Sequence, residues 1–260
     1  MPDVNKANRQ VCDIQFFDYS NKKPFLNFDT ANTTTAGLSG ESVYAMAKGS
    51  KRISFPNPLD GTFSITAQVY PFKFFSIYSN GVVGEEAEYA KITEVTAAAA
   101  SSLVIDETAS DISNVYVSAD GEAWVAADAA ADADTKKTKI TVKTGSSVTI
   151  EKDKTYKVSY FIKKSTGVKK VAFSNKNLPK DYYVVMSTLD KDEDGYFTPF
   201  KMVVYKATVQ RNFELSFNSE GDPAEVTATF DILEDKDGNV LDFIEIEDAK
   251  STDSVEASKA

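Results

Sequence analysis

The chain has 260 residues, of which 42% are hydrophobic and 26% charged, and its formal net charge is −10. This is the composition of a globular protein with one large or two small domains, and its acidity provides no basic footprint for tight nucleic-acid binding. There is no histidine and only one cysteine, which excludes histidine-based acid–base or triad catalysis, intramolecular disulfides and multi-cysteine zinc sites.

The N-terminal region is predicted to contain one strand between two polar segments. Residues 1–10 are polar and predict a flexible arm without the apolar core of a signal peptide. The segment 11–19 has strand composition, and Cys12 within it is expected to be a small buried hydrophobe. The segment 22–40 is rich in Thr and Gly and predicts a long exposed loop.

The next region contains the clearest strand pattern in the chain. Residues 42–47 are ambiguous, whereas 52–55 predict a strand that ends at Pro56. In the segment 62–70, apolar and polar residues alternate, which indicates a strand with one buried and one polar face.

A single α-helix is predicted over about 71–80. Pro71 suits the first helical position and Gly81 suits the residue after the last turn. Phe74, Ile77 and Tyr78 have the spacing of one helical face. We therefore expect a short helix packed on a sheet.

The middle of the chain is predicted to be a series of short strands. Asp120 and Gly121 form a turn signal, and 122–125 are expected to return as the second strand of a hairpin. The acidic, alanine-rich tract 126–134 predicts a solvated loop. The other strands are expected at 89–96, 102–106, 112–118, 139–143, 147–151, 156–162 and 168–173.

The C-terminal third predicts an antiparallel meander in which each strand pairs with the next. Its strong β-forming segments are separated by short acidic or glycine-containing turns. These segments are 182–189, 200–210, 213–219, 226–233 and 240–246. The predicted fold class is mainly β, an antiparallel β-sandwich or barrel with one short packed α-helix.

One acidic turn partly matches a calcium-binding loop. Asp190, Asp192 and Asp194, followed by Gly195, match the first half of a calcium loop. The glutamate expected at loop position twelve is replaced by Lys201, so an acidic hairpin turn is the better interpretation. No cofactor and no catalytic residue are predicted.

The order of these segments resembles bacteriophage major tail tube proteins. The matching features are the strand 62–70 leading into the aromatic segment 71–81, the segment 178–185 followed by an acidic turn and 200–209, and 211–217 followed by two closing strands. The resemblance implies a core of 1–96 and 152–248, a β-rich elaboration or inserted subdomain at 97–151, and a flexible tail at 249–260.

The resemblance implies a structural, non-enzymatic virion protein that forms hexameric rings stacked into a hollow tube for DNA delivery. The implied partners are further copies of the chain, tape-measure and baseplate or tip proteins, and a sheath in contractile tails, with double-stranded DNA only passing through. Assembly is expected in the host cytoplasm. The alternatives are a tube of a contractile injection system or tail-like particle, and a carbohydrate-binding decoration or adhesion module using Trp124 and Tyr116.

On this interpretation, the arm 1–10 and the loop 22–40 contact neighbouring rings, and two hairpins line the channel. These hairpins are 52–55 with 62–69, and 200–210 with 213–219. The candidate inter-subunit contact residues are Lys22, Phe25, Phe28, Thr34, Leu38, Arg52, Phe55, Phe63, Ile65, Arg211 and Phe213.

Overall fold

The computed structural model describes residues 5–132, 134–143, 145–212, 214–215, 220–221 and 223–247. The chain divides into two compact units, Met1–Val82 with Val171–Ala260, and Val83–Lys170. The predicted segment 97–151 lies within the second unit. The second unit is longer than this segment at both ends, because the two strands that flank the segment pair with each other over ten residues. The predicted tail 249–260 lies outside the described residues.

The fold is mainly antiparallel β, as predicted from the sequence. The strands in chain order are β1 (Lys6–Asn8), β2 (Asp13–Asp18), β3 (Pro24–Phe28), β4 (Thr33–Ser39), β5 (Ser42–Ala47), β6 (Ser50–Pro56), β7 (Asp60–Ala67), β8 (Ala87–Thr96), β9 (Leu103–Ile105), β10 (Tyr116–Ser118), β11 (Val125–Asp132), β12 (Lys137–Val142), β13 (Thr155–Lys164), β14 (Asp181–Asp192), β15 (Phe197–Val209), β16 (Val226–Leu233) and β17 (Leu241–Glu245). A helix at Phe72–Tyr78 lies between β7 and β8.

The first unit is built on a nine-stranded sheet that curves as a half-barrel. Its main path runs β3-β2-β14-β15-β16-β7-β4, with β1 paired to β14 and β17 to β15. The predicted alternation in β7 is confirmed: Phe63, Ile65 and Ala67 are buried, and the intervening side chains lie on the opposite face. This period of two fixes which face of the sheet covers the core.

Aromatic packing holds the core of the first unit together. Phe63 and Phe230 stack across β7 and β16 with ring centroids 4.5 Å apart, and Phe16 lies 5.3 Å from Phe230. Phe28 stacks on Phe74 at 5.0 Å, which fixes the helix to the sheet. Aromatic pairs of this kind add to the stabilisation that comes from area burial alone.

The predicted helix is present but is a 3₁₀ helix of seven residues. Aromatic and β-branched side chains make the segment a poor α-helix former, and a helix this short gains little from propagation. The helix ends at Tyr78, and the carbonyl of Ser76 in its last turn accepts hydrogen bonds from the amides of Ser79 and Gly81. The buried side chains Phe74, Ile77 and Tyr78 form the predicted face.

Three segments predicted as irregular are strands. Residues 6–8 of the predicted arm pair with β14, and the predicted loop 22–40 contains β3 and β4. The tract predicted as a solvated loop at 126–134 is largely β11, which pairs with β12 from Ala127 to Asp132. In each case cross-strand pairing outweighs the local preference for a polar loop.

The predicted meander is correct for its first pairing and wrong for the later ones. β14 pairs with β15 as predicted, but β15 pairs directly with β16, whereas the prediction placed the strand 213–219 between them. β17 pairs with β15 rather than with its predecessor β16. Part of the predicted hairpin strand 213–219 lies outside the described residues.

The predicted channel hairpin of 52–55 with 62–69 is wrong. β6, which contains the predicted strand 52–55, pairs with β5. β7 instead pairs with β16 and β4. Pro56 is the last residue of β6, and Pro58 lies between β6 and β7. These prolines prevent the two segments from forming a tight hairpin.

The second unit has its own sheet and its own core. Its strands are ordered β8-β13-β10-β11-β12-β9, and Val117, Ile140 and Val158 are fully buried within it. Gly84 and Lys170, near its two ends, exchange hydrogen bonds of 2.8 Å. The chain therefore enters and leaves this unit at neighbouring points.

The carboxylate of Glu107 connects two other side chains in the second unit. Glu107 accepts hydrogen bonds from the Lys91 ammonium at 2.7 Å and from the buried Tyr160 hydroxyl at 2.6 Å. These two bonds lower the pKa of Glu107 below its ordinary value of 4.5. Ionised Glu107 therefore stabilises the unit above that value, and the contribution is lost as the pH falls through the lower pKa of the folded state.

We expect Glu107→Gln to reduce the acid dependence of stability in the second unit. The opening equilibrium from amide hydrogen exchange in peptides from β8 and β13, corrected for the intrinsic exchange rate at each pH, should rise less steeply from about pH 5 to pH 3 than in the wild type. Glu94→Gln is the matched control, because Glu94 occupies an exposed position on β8. This variant should keep the wild-type dependence of the opening equilibrium on pH. An unchanged slope in the Glu107 variant contradicts this assignment.

Candidate assembly surfaces

The hairpin β5–β6 exposes an apolar face to solvent. The strands form a separate two-stranded sheet, in which Val43 pairs with Phe55 and Ala45 with Ile53, so these four side chains share one face. Val43 is 60% exposed, Ile53 56% and Phe55 55%. We call these four residues the hairpin face. Clustered large apolar side chains at such exposure are typical of an interaction surface.

The same hairpin is basic in an acidic protein. Residues 42–56 contain Lys48, Lys51 and Arg52 and no acidic residue, whereas the whole chain has a net charge of −10. The Lys51 ammonium lies 3.8 Å from the centroid of the Tyr44 ring. This contact stabilises the face opposite to the hairpin face.

The large sheet ends in open edges. β4 forms one edge, and all its residues from Thr35 to Ser39 are exposed. It contains neither a charged residue nor proline, the features that usually protect an edge strand from pairing. β3 forms the opposite edge and begins at Pro24.

Several predicted contact residues lie at these surfaces. Arg52 and Phe55 lie on the hairpin and are exposed, and Leu38 on β4 is 39% exposed. Thr34 is half-buried, and its hydroxyl accepts a hydrogen bond from the Cys12 amide at 3.3 Å. The contact role of these residues stays a prediction.

Three other predicted contact residues are buried inside the first unit. Phe28, Phe63 and Ile65 are at most 1% exposed and belong to its hydrophobic core. They stabilise the subunit itself and offer no surface to a neighbour. The sequence pattern correctly indicated that β7 is amphipathic, but its apolar side faces inward.

Lys22 and Phe25 lie near the β2–β3 turn. The Lys22 ammonium lies 3.9 Å from the centroid of Tyr183 and 5.0 Å from that of Tyr19, and burial lowers its pKa against the opposing effect of Asp235. Phe25 is half-buried, with its ring 5.1 Å from that of Tyr182. Both side chains are thus engaged within the subunit.

The remaining predicted contacts lie near the C-terminal strands. The Arg211 guanidinium donates a hydrogen bond of 2.9 Å to the backbone carbonyl of Ser174. Phe213 lies outside the described residues. The structure therefore does not bring Arg211 together with the hairpin residues.

The calcium candidates lie at the β14–β15 turn. The Asp192 carboxylate accepts a hydrogen bond of 2.8 Å from the Tyr196 amide, and Asp190 accepts one from the Asn8 side chain at 2.8 Å. Gly195 has a φ of 91°, which allows the tight turn. Among the residues that the structure describes, no group of three or more His, Cys, Asp or Glu side chains could hold a metal ion.

Cys12 and the predicted carbohydrate residues are partly accessible. Cys12 is half-buried against the first core, and burial raises the pKa of its thiol, which disfavours the reactive thiolate. Trp124 is half-buried, and Tyr116 is 39% exposed in the second unit. The glycan-binding role of Trp124 and Tyr116 stays a prediction.

Sequence reasoning missed most of the hairpin face. Val43 and Ala45 alternate with polar or aromatic neighbours, as do Ile53 and Phe55. This period of two was present in both segments. The sequence did not reveal that these two segments pair with each other, because 52–55 was predicted to pair with 62–69.

An antiparallel β subunit with open edges and an exposed apolar hairpin has the features of a self-assembling structural protein. A family model for the YomU/Tube protein family matches residues 9–246. The chain therefore belongs to the YomU/Tube protein family, which confirms the resemblance to phage tube proteins. A comparison with curated proteins found no match.

Family membership gives the chain a structural role in a phage tail tube, as a component of the virion tail. The family is one of structural tube proteins. No helix within the described part of the chain has the length and apolar character needed to cross a membrane.

Proposed function

We propose that the chain is the major tail tube subunit, which forms hexameric rings that stack into a hollow conduit for phage DNA. The observation that carries this proposal is the exposed apolar hairpin face on a basic hairpin of an acidic chain. Burying each large apolar side chain of that face against a neighbour contributes about 1.5–3 kcal/mol. A second copy supplies an acidic surface that complements the hairpin's positive charge.

The open edges support ring formation. An edge strand presents unpaired backbone groups, and pairing with the edge of a neighbour satisfies them. Repeated contacts of one surface with a different surface close into a ring, or continue as a filament if a rise is added. β4 of one copy and β3 of the next are the edges proposed to meet.

The proposed partners follow from this architecture. They are further copies of the chain, tape-measure and baseplate or tip proteins, and a sheath where the tail contracts. Assembly takes place in the host cytoplasm, and duplex DNA passes through the tube without tight binding. A tube of an injection system or tail-like particle is the related alternative.

Negative-stain microscopy of the purified full chain tests the proposal. We expect hollow tubes or rings with six-fold symmetry in end views, and tubes that sediment with the chain as the main component. A chain that stays monomeric at high concentration contradicts the proposal. Monomers that bind glycan arrays support the adhesion alternative instead.

A further inference from the structure

The strand β17 has a free edge in the isolated subunit. It pairs with β15 along one side, and none of the described strands pairs with its other side. All residues from Asp242 to Glu245 are exposed. The backbone groups of a free edge are available to a strand of another molecule.

Large apolar side chains lie at this free edge. Phe243 is 63% exposed although its ring stacks on Phe200 at 5.7 Å, and Ile244 is 41% exposed. Successive residues of a strand point to opposite sides, so each side of β17 presents one of these side chains. A neighbour that lies along the edge removes apolar area of both from water.

The charge of this strand is opposite to that of the hairpin β5–β6. Residues 241–247 contain Asp242, Glu245 and Glu247 and neither lysine nor arginine. The hairpin contains three basic residues and no acidic residue. Apolar side chains alternate or mix with charged ones in both segments, so the two surfaces are complementary in charge and similar in apolar character.

Contacts within the subunit leave β17 negatively charged. Asp242 accepts a hydrogen bond of 2.6 Å from the Tyr205 hydroxyl, which carries no compensating charge. Glu245 forms an ion pair with Lys6. Because Lys6 compensates one of the three carboxylates, two negative charges remain for a basic neighbour.

The exposed apolar side chain of Leu178 lies in a different electrostatic setting. It is 64% exposed, but residues 171–180 contain Lys176 and Lys180 and no acidic residue. Like charges across an interface disfavour association. The basic hairpin is therefore expected to bind β17 rather than the surface around Leu178.

We propose that β17 is the acceptor for the hairpin β5–β6 of a second copy of the chain. The hairpin face packs against Phe243 and Ile244, and the basic side chains of the hairpin lie near Asp242 and Glu247. The hairpin face and β17 are both exposed in the subunit, so the contact joins two copies. This inference rests on the proposed function, since it names the surface that receives the hairpin in the tube.

A contact between two different surfaces can repeat. Each bound subunit still presents one hairpin and one β17 edge to further copies. Such heterologous contacts close into a ring, or continue along an axis when a rise is added. Changes at β17 should therefore impair assembly in the same way as changes at the hairpin.

Crosslinking between single-cysteine chains in assembled tubes tests the contact. In a Cys12→Ala background, one chain carries Ala45→Cys on the hairpin face and the other carries Ile244→Cys. The two chains are mixed in equal amounts, assembled and treated with a short bis-maleimide. A chain with Leu178→Cys replaces the Ile244 variant in the control mixture, and Val43→Cys replaces the Ala45 variant if that chain does not assemble.

We expect a covalent dimer from the mixture of the Ala45 and Ile244 variants. The control mixture, and tubes of either chain alone, should give none. Crosslinking to Leu178 instead of Ile244, or no crosslinking in intact tubes, overturns the acceptor and leaves the tube in place. If the wild-type chain forms no tubes, the proposed function itself fails.

A pair of alanine variants provides a second measurement. Phe243→Ala is expected to raise the concentration needed for assembly by about ten-fold or more, because the ring is buried only in the contact. Leu178→Ala is the matched control, since the two side chains are 63% and 64% exposed, and it should assemble as the wild type does. Sedimentation across a concentration series measures both, and equal behaviour of the two variants contradicts the acceptor role of β17.

Discussion

Replacing Ile53 and Phe55 together by lysine is expected to abolish tube formation and leave the subunit folded. Both side chains are more than half exposed in the subunit, so their loss costs the isolated chain little. In an assembly their burial contributes about 1.5–3 kcal/mol each. Losing both raises the concentration needed for assembly by two or more orders of magnitude, since about 1.4 kcal/mol corresponds to a factor of ten.

The measurement is sedimentation of the purified variant across a concentration series, with circular dichroism to show that the fold is retained. Ser54→Lys is the control, since it adds one lysine to the same strand but on the opposite side of the hairpin. We expect the control to assemble. Tubes of normal length from the double lysine variant would show that the hairpin face does not contribute to assembly.

The sequence predicted the strands that are amphipathic over a long stretch. Phe63, Ile65 and Ala67 alternate with hydroxyl residues, and the buried side of β7 follows from that pattern alone. The C-terminal strands β14 and β15 were predicted from their strong β-forming residues, and the acidic turn between them identified the hairpin.

The missed strands depend on partners distant in the sequence. Thr33–Ser39 is rich in threonine and was interpreted as a loop, but it pairs with β7 along its full length. Val125–Asp132 contains alanine and aspartate in a pattern with weak strand preference, and it becomes a strand through β12. Local composition does not encode such pairing.

The same limit explains the errors in the predicted contact surface. Phe28 and Phe63 lie in segments that were predicted to contact neighbouring subunits, yet both side chains are buried in the core of the first unit. The hairpin face becomes visible only when strand register shows which side chains share a side. Composition alone does not distinguish a core-facing from a neighbour-facing apolar side chain.

Truncating Phe230 to alanine is expected to have the largest effect on the stability of the subunit. Its ring is fully buried on β16, stacks on Phe63 at 4.5 Å and contacts Phe16 at 5.3 Å. Removing it loses both ring contacts and leaves a cavity that rigid strands do not fill. Phe→Ala changes in such cores cost about 3–5 kcal/mol, a large part of the about 5–15 kcal/mol that stabilises a typical domain.

Chemical denaturation of the full chain, followed by fluorescence and by hydrogen exchange in β7 and β16 peptides, measures the loss. Exchange assigns the effect to the first unit, which has its own core. Phe243→Ala on β17 is the control: its ring is 63% exposed although it stacks on Phe200 at 5.7 Å, so we expect a loss below about 1 kcal/mol. Equal losses in the two variants would show that the Phe63–Phe230 stack is not the centre of this core, because only the buried ring leaves a cavity when it is removed.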